Sequence, residues 1–221
     1  MNRQDFDAVI VDLDGTMVDT LGDFELALGA ALAEIGLPPV PRSFIARTVG
    51  KGSRHLLTEA LRHAGQGVGP DSAAVETLWA AYQRHYAAAN GRASAVYPGV
   101  LEGLTRLRDA GLPLACLTNK PGAFARALLA AKGLDGFFSH VFGGDAFARS
   151  KPDPLPLLET CRALGTLPAR TLMVGDSSND ARAARAAGCP VVLVRYGYNH
   201  GEPVEAAGAD GLVHRLDALF S

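Results

Sequence analysis

From residue 99 onward, short apolar runs alternate with helix-forming stretches, and that rhythm admits few folds. Pro113–Thr118, Ser139–Phe142, Thr171–Val174 and Pro190–Val194 read as strands. Pro121–Lys132, Asp153–Leu164 and Asn179–Ala187 read as the helices between them. The first opens with proline, whose missing N–H is no loss at a first helical position. Gly188 closes the last. Strands joined through helices run parallel and bury both faces. The expectation is an α/β fold, a doubly wound, Rossmann-like parallel sheet covered by helices on both sides. The β-branched run Ala8–Val11 supplies one more buried strand.

The stretch from about Val18 to Val96 breaks the rhythm, with no strand signal. Thr20–Ile35, Pro41–Thr48, Ser53–His63 and Asp71–Ala89 read as helices, separated by Gly36, Gly50-Lys51-Gly52 and Gly65–Pro70. Gly29 interrupts an otherwise alanine-rich helix between Ala27 and Ala33. Residues 1–17 and 97–221 are therefore expected to form the core, and residues 18–96 an all-helical cap. An insert there overhangs the carboxyl ends of the strands, where open α/β sheets bind ligands and a lid is useful. Trp79 and Tyr82 lie at helical spacing, so packing is their default role.

Composition narrows the function classes. A hydrophobic share of 48% with 20% charged residues is ordinary for a globular chain. A net charge of −2 with no basic stripe argues against nucleic acid as the main partner. No segment approaches the ~18 apolar residues that span a bilayer, and the N-terminus does not read as a signal peptide. Cys116, Cys161 and Cys189 have no metal-ligand spacing. They read as small buried hydrophobes and fit a reducing cytoplasm, the expected location.

Four polar clusters fall at the ends of the apolar strands: Asp12-Leu13-Asp14-Gly15-Thr16, Thr118-Asn119-Lys120, Ser150-Lys151-Pro152 and Gly175-Asp176-Ser177-Ser178-Asn179-Asp180. Two residues apart on an extended chain, Asp12 and Asp14 would share a face and repel. A hard divalent cation such as Mg²⁺ is the simplest relief. Gly15 lets the chain turn sharply. Each cluster has a plain structural alternative. Thr118-Asn119 could cap a helix, Lys151 could be a solvated loop lysine, and Ser177–Asp180 could be caps with a first-turn acid. Jointly they supply what phosphoryl transfer needs. One carboxylate can attack phosphorus and another can move the proton. A hydroxyl and a lysine can hold the oxygens, and further carboxylates can hold a metal.

In this order the clusters resemble the four motifs of the haloacid dehalogenase superfamily, and residues 18–96 resemble its small helical cap. The resemblance implies Asp12 as nucleophile, Asp14 as general acid and base, and Thr118, Asn119 and Lys151 as phosphate-binding. It implies Mg²⁺ held by Asp12, the Asp14 backbone carbonyl and Asp176, with Asp180 in support. Asp14 points to the phosphatase branch, since halide leaves without a proton. Longer segments, Leu117–Pro121, Ser150–Leu158, Ala186–Pro190 and Tyr196–Pro203, are similar to bacterial phosphoglycolate phosphatases. Arg195 stands where a smaller residue is expected. A small phosphate monoester is the implied partner, with sugar-phosphate hydrolysis, a phosphomutase and a phospho-receiver module as alternatives. The core motifs leave a substrate carboxylate without a reader, and Lys51 and Arg54 of the cap are the candidates. His200 stands in a loop that could border the site; the other histidines read as structural or surface residues.

Overall fold

The computed structural model describes residues 1–220. In chain order its elements are β1 (Ala8–Val11), β2 (Val18–Asp19), α1 (Leu21–Glu34), α2 (Arg42–Thr48), α3 (Ser53–His63), α4 (Ala73–Ala89), β3 (Ala95–Val96), α5 (Val100–Asp109), β4 (Leu114–Leu117), α6 (Gly122–Ala131), β5 (His140–Phe142), α7 (Leu155–Leu164), β6 (Thr171–Gly175), α8 (Ser178–Ala187), β7 (Val191–Val194) and β8 (Gly211–Val213), with short 3₁₀ turns between some of them. Six strands form one sheet in the order β5-β4-β1-β6-β7-β8, every pair parallel. Val11 of β1 registers with Cys116 of β4 on one side and Val174 of β6 on the other. The chain fills one half of the sheet from β1 outward and then crosses to the other half. The carboxyl ends of β1, β4 and β6 therefore flank the point where the winding reverses, the usual ligand crevice of such sheets.

The β1 sequence explains its central place. Side chains alternate across a strand. Val9 and Val11 enter one apolar cluster, with Leu104, Leu107 and Leu128. Ile10 enters the opposite one, with Leu157, Met173 and Ala184. All four β1 residues are fully buried, which a continuous apolar run permits and an alternating one would not. A third cluster belongs to α1–α4, with Leu28, Leu57, Leu78, Tyr82 and Tyr86 at its centre. Tyr198, from the loop after β7, reaches into it.

Residues 18–96 hold short strands as well as helices, which corrects the all-helical expectation. β2 and β3 pair antiparallel, Val18 with Val96 and Asp19 with Ala95. They are the entry and exit of the helical segment, and two residues carry no detectable period. α5, with buried Val100, Gly103, Leu104 and Leu107, and the short edge strand β8 lie outside the elements expected from the sequence. α1 runs unbroken through Gly29. Pro121 precedes α6 as its N-cap residue rather than opening it. The three cysteines are buried and free, and Cys161 and Cys189 meet with their sulfurs 3.8 Å apart.

One buried acid ties the helical segment shut. Asp23 on α1 is 0% exposed, and its two oxygens accept from Gly91 N and Ala93 N at 2.7 Å each. Gly22 lies so close that an added Cβ would stand 2.2 Å from the Ala93 carbonyl oxygen. Asp23→Ala removes both acceptors and strands two N–H groups. It is expected to lower unfolding stability by about 2–4 kcal/mol, with Asp23→Asn recovering about half. Urea midpoints at constant slope measure this. An Asp23→Ala protein within about 0.5 kcal/mol of the parent would show that the contact is dispensable.

Candidate active site

The four clusters meet at the carboxyl edge of the sheet. Asp12 follows β1, Thr118 follows β4, and Lys151 lies in the loop after β5. Asp176 follows β6, and Asp180 stands in the first turn of α8. All five are buried. Together with Asp14, Asn119, Lys120 and Asn179 they line a cavity closed from the other side by Phe24, Val49, Gly50, Gly52, Ser53 and Leu56.

Lys151 is the hub. Its Nζ donates to Asp180 Oδ1 at 2.7 Å and to the Leu117 carbonyl at 2.8 Å, and lies 2.9 Å from Asp12 Oδ1. The contact with Asp12 is a charge contact off the hydrogen-bond direction, so Asp12 Oδ1 accepts no aligned hydrogen bond. Burial disfavours the ammonium, but the facing Asp12 and Asp180 carboxylates outweigh it and hold Lys151 charged above the usual lysine range. The same burial raises Asp12. Lys151 opposes that rise while the Asp180 and Asp14 charges add to it, leaving Asp12 at about 7. Asp176 is raised by burial, then by Asp180 and Asp12.

Asp180 earns its place twice. Its Oδ2 accepts from the backbone N–H groups of Asp176 and Ser177 and from the Ser177 hydroxyl, so it caps α8 while Oδ1 holds Lys151. The cap and the contact with Lys151 are thus made by the same carboxylate. Asp176 accepts from Thr16 Oγ1 at 3.1 Å and from Tyr198 N at 2.6 Å.

The acids fit a divalent cation. Oxygens of Asp12, Asp176 and Asp180 lie within 4.8 Å of one another. Asp12 Oδ1 lacks an aligned donor, and burial penalises the negative charge of Asp12 and Asp176, so a cation would stabilise the cluster. The Asp14 carboxylate lies outside this trio. It receives Lys120 Nζ at 2.9 and 3.2 Å. The repulsion expected between Asp12 and Asp14 is therefore relieved by a separate lysine for each acid.

Asn119 holds backbone rather than an open phosphate position. Its Nδ2 donates to the carbonyls of Lys151 at 2.8 Å and Gly50 at 2.9 Å, and its Oδ1 accepts from Lys151 N at 3.0 Å. Asn179 Nδ2 also donates to the Gly50 carbonyl, at 3.1 Å. Two asparagines from the sheet edge thus grip one carbonyl of the helical segment. Thr118 is buried, lines the cavity and accepts from Lys120 N at 3.2 Å, leaving its own hydroxyl proton to donate.

Neither expected cap cation reaches the cavity. Arg54 turns outward to Glu76 at 2.6 Å and lies over the Trp79 ring, because that acid and that ring face it from α4. Lys51 is exposed on its turn and is not among the lining residues. His200 packs against Gly50 with both ring nitrogens buried and unpartnered among the described residues, and Arg195 pairs with Glu205. Lys120, Tyr198 and Asn179 are the site residues that sequence reasoning missed. Lys120 and Asn179 lie within the second and fourth polar clusters, but no spacing gives them a role.

Space around Asp176 is tight. Gly15 has φ +83, and a Cβ there would stand 2.2 Å from Asp176 Oδ2. Gly15→Ala is expected to cost about 1–3 kcal/mol of stability and to shrink the rise in Tm that a divalent cation produces in the parent. Thermal melts with and without Mg²⁺ read both. An unchanged metal response would show that Asp176 does not depend on this close approach.

A sequence model of haloacid dehalogenase-like hydrolases matches residues 6–188. A phosphoglycolate phosphatase of Cupriavidus necator is 45% identical over 96% of this chain and 90% of its own length. One of Thiobacillus denitrificans is 41% identical over 95% and 92%. The crystal structure of a predicted phosphoglycolate phosphatase from Haemophilus somnus superposes with a TM-score of 0.91 at 32% identity, covering 99% of this chain and 98% of that one.

Proposed function

The chain belongs to the haloacid dehalogenase-like hydrolases and is a phosphatase, and from that premise we propose that it hydrolyses 2-phosphoglycolate to glycolate and phosphate. The observation that carries the chemistry is the placement of Asp12 and Asp14 side by side in one buried cavity, with different partners. Asp12 sits in the acid cluster against Lys151, and Asp14 stands outside it.

In this reading an Asp12 oxygen attacks phosphorus and the bond to the glycolate oxygen breaks. Asp14 supplies the proton that the departing alkoxide takes. Asp14 then removes a proton from water, the water oxygen attacks phosphorus, and the Asp12 carboxylate is restored. Thr118 and Lys151 hold the phosphoryl oxygens as charge shifts among them. Asp12, Asp176, Asp180 and the Asp14 carbonyl are the groups proposed to hold Mg²⁺. When bound, it supplies positive charge against the transferring phosphoryl group.

The relatives' names support a small substrate. The cavity measures about 30 Å³, far below the roughly 300–1,000 Å³ of a typical ligand pocket. A substrate enters only if the helical segment, proposed as residues 18–96, swings away and closes again. A cytoplasmic setting fits the three unpaired cysteines, and no helix among the described residues is long and apolar enough to cross a membrane.

The test is turnover of a panel of small phosphate monoesters with Mg²⁺, in the parent and two variants. 2-Phosphoglycolate is expected to lead the panel, and Asp12→Asn to fall to background. Asp14→Asn is expected to lose ~10²–10⁴-fold on alkyl esters but far less in first-step attack on p-nitrophenyl phosphate, whose leaving group needs no proton. A sugar phosphate leading the panel would overturn the substrate. Equal losses for Asp14→Asn on both ester types in single turnover would overturn its role.

A further inference from the structure

We propose that Lys120 reads the substrate's carboxylate, an inference that rests on the 2-phosphoglycolate reading above. Lys120 follows Thr118 and Asn119 after β4, is 4% exposed and lines the cavity. Its Nζ contacts Asp14 at 2.9 and 3.2 Å and Tyr86 Oη at 2.5 Å, and stands 4.7 Å from the ring centres of both Phe24 and Tyr86.

A lysine ammonium has three donors. They meet both Asp14 oxygens and Tyr86 Oη, so an arriving anion must take over one of the two contacts now made to Asp14. Asp14 offers one negative charge and the aromatic faces only their quadrupoles. An anionic ligand entering the cavity would compete with Asp14 for this cation. Among the cavity's lining residues only Lys120 and Lys151 are cations. Lys151 is already engaged by Asp12, Asp180 and the Leu117 carbonyl, on the side where phosphorus is attacked. Lys120 stands beside Asp14, the group assigned to the leaving oxygen. In 2-phosphoglycolate that oxygen is separated from the carboxylate by a single methylene. A reader of the carboxylate must therefore lie near the proton donor and away from the phosphoryl site, as Lys120 does.

The arrangement also assigns a second consequence to binding. An arriving carboxylate competes with Asp14 for the same ammonium, so it loosens Asp14 from Lys120 as the leaving oxygen arrives. An ester without the carboxylate leaves the Lys120–Asp14 contact intact. Lys120 would then act on specificity through contact with substrate and through release of its neighbour.

The experiment compares kcat/KM for 2-phosphoglycolate with that for 2-hydroxyethyl phosphate, which replaces the carboxylate by an alcohol. The parent, Lys120→Met and Lys120→Gln are assayed with Mg²⁺, and folding is checked by circular dichroism and thermal melts. Glutamine keeps an amide donor for Asp14 and serves if the methionine variant does not fold. The parent is expected to prefer the carboxylated ester by about ten- to a hundredfold, the size of one charge-assisted contact. In both variants that preference should fall to within about threefold. If the parent shows the preference and a folded variant keeps it, the inference fails while the proposed substrate stands. If both esters slow by the same factor, Lys120 only positions Asp14, and the inference fails again. If the parent shows no preference, the phosphoglycolate reading and this inference fail together.

Discussion

A lysine ammonium buried among carboxylates is the constraint on which the rest of the site depends. An isolated buried charge is very costly, and breaking a buried pair leaves its partner uncompensated. Lys151 avoids this by touching three separate parts of the fold: the Leu117 carbonyl at the end of β4, Asp180 on α8, and Asp12 after β1. Its backbone is set in turn by Asn119. The sheet edge therefore cannot be assembled piecemeal. β1, β4 and α8 must all be in place before the cluster is neutralised, so the strand order that brings them together also makes the site.

The second buried ion pair works differently. Lys120 and Asp14 both leave the sheet edge, but Tyr86 and Phe24, which complete their surroundings, come from α4 and α1. The helical segment thus does more than cover the site. It supplies the aromatic wall that makes a buried ammonium tolerable. The Gly50 carbonyl, gripped by Asn119 and Asn179, is the matching contact on the other rim. A typical hydrogen bond contributes about 0.5–1.5 kcal/mol net.

The strand ends were readable because each is a local pattern: an apolar run stops and a polar cluster begins. Asp12, Thr118 and Asp176 fall at such breaks, Lys151 follows in the loop after β5 and Asp180 in the first turn of α8, and the sheet brings them together. Three kinds of feature were not readable. β2 and β3 are too short to show a period. The direction of Arg54 depends on Glu76 and Trp79, one helix away. The roles of Asn119 and Lys120 depend on which backbone and which rings face them, and residue type and spacing do not encode that. The exposed lysines and arginines of the cap are conspicuous in a sequence. A buried lysine next to a phosphate motif is less conspicuous, and its burial is a product of tertiary packing.

Closure and charge are therefore linked. With the helical segment in place the cavity is small, and at such a site electrostatic interactions are much stronger than in bulk water. With the segment displaced, Lys120 loses the rings above it and water can reach Asp12 and Asp14. In the proposed closure, charge stabilisation and water exclusion would rise together. An ester that lets the segment close engages the site at full strength. A bulkier one that props it open meets the same residues in a wetter, weaker field. The shape of the helical segment can thus select among phosphate esters even where its own charged side chains point outward.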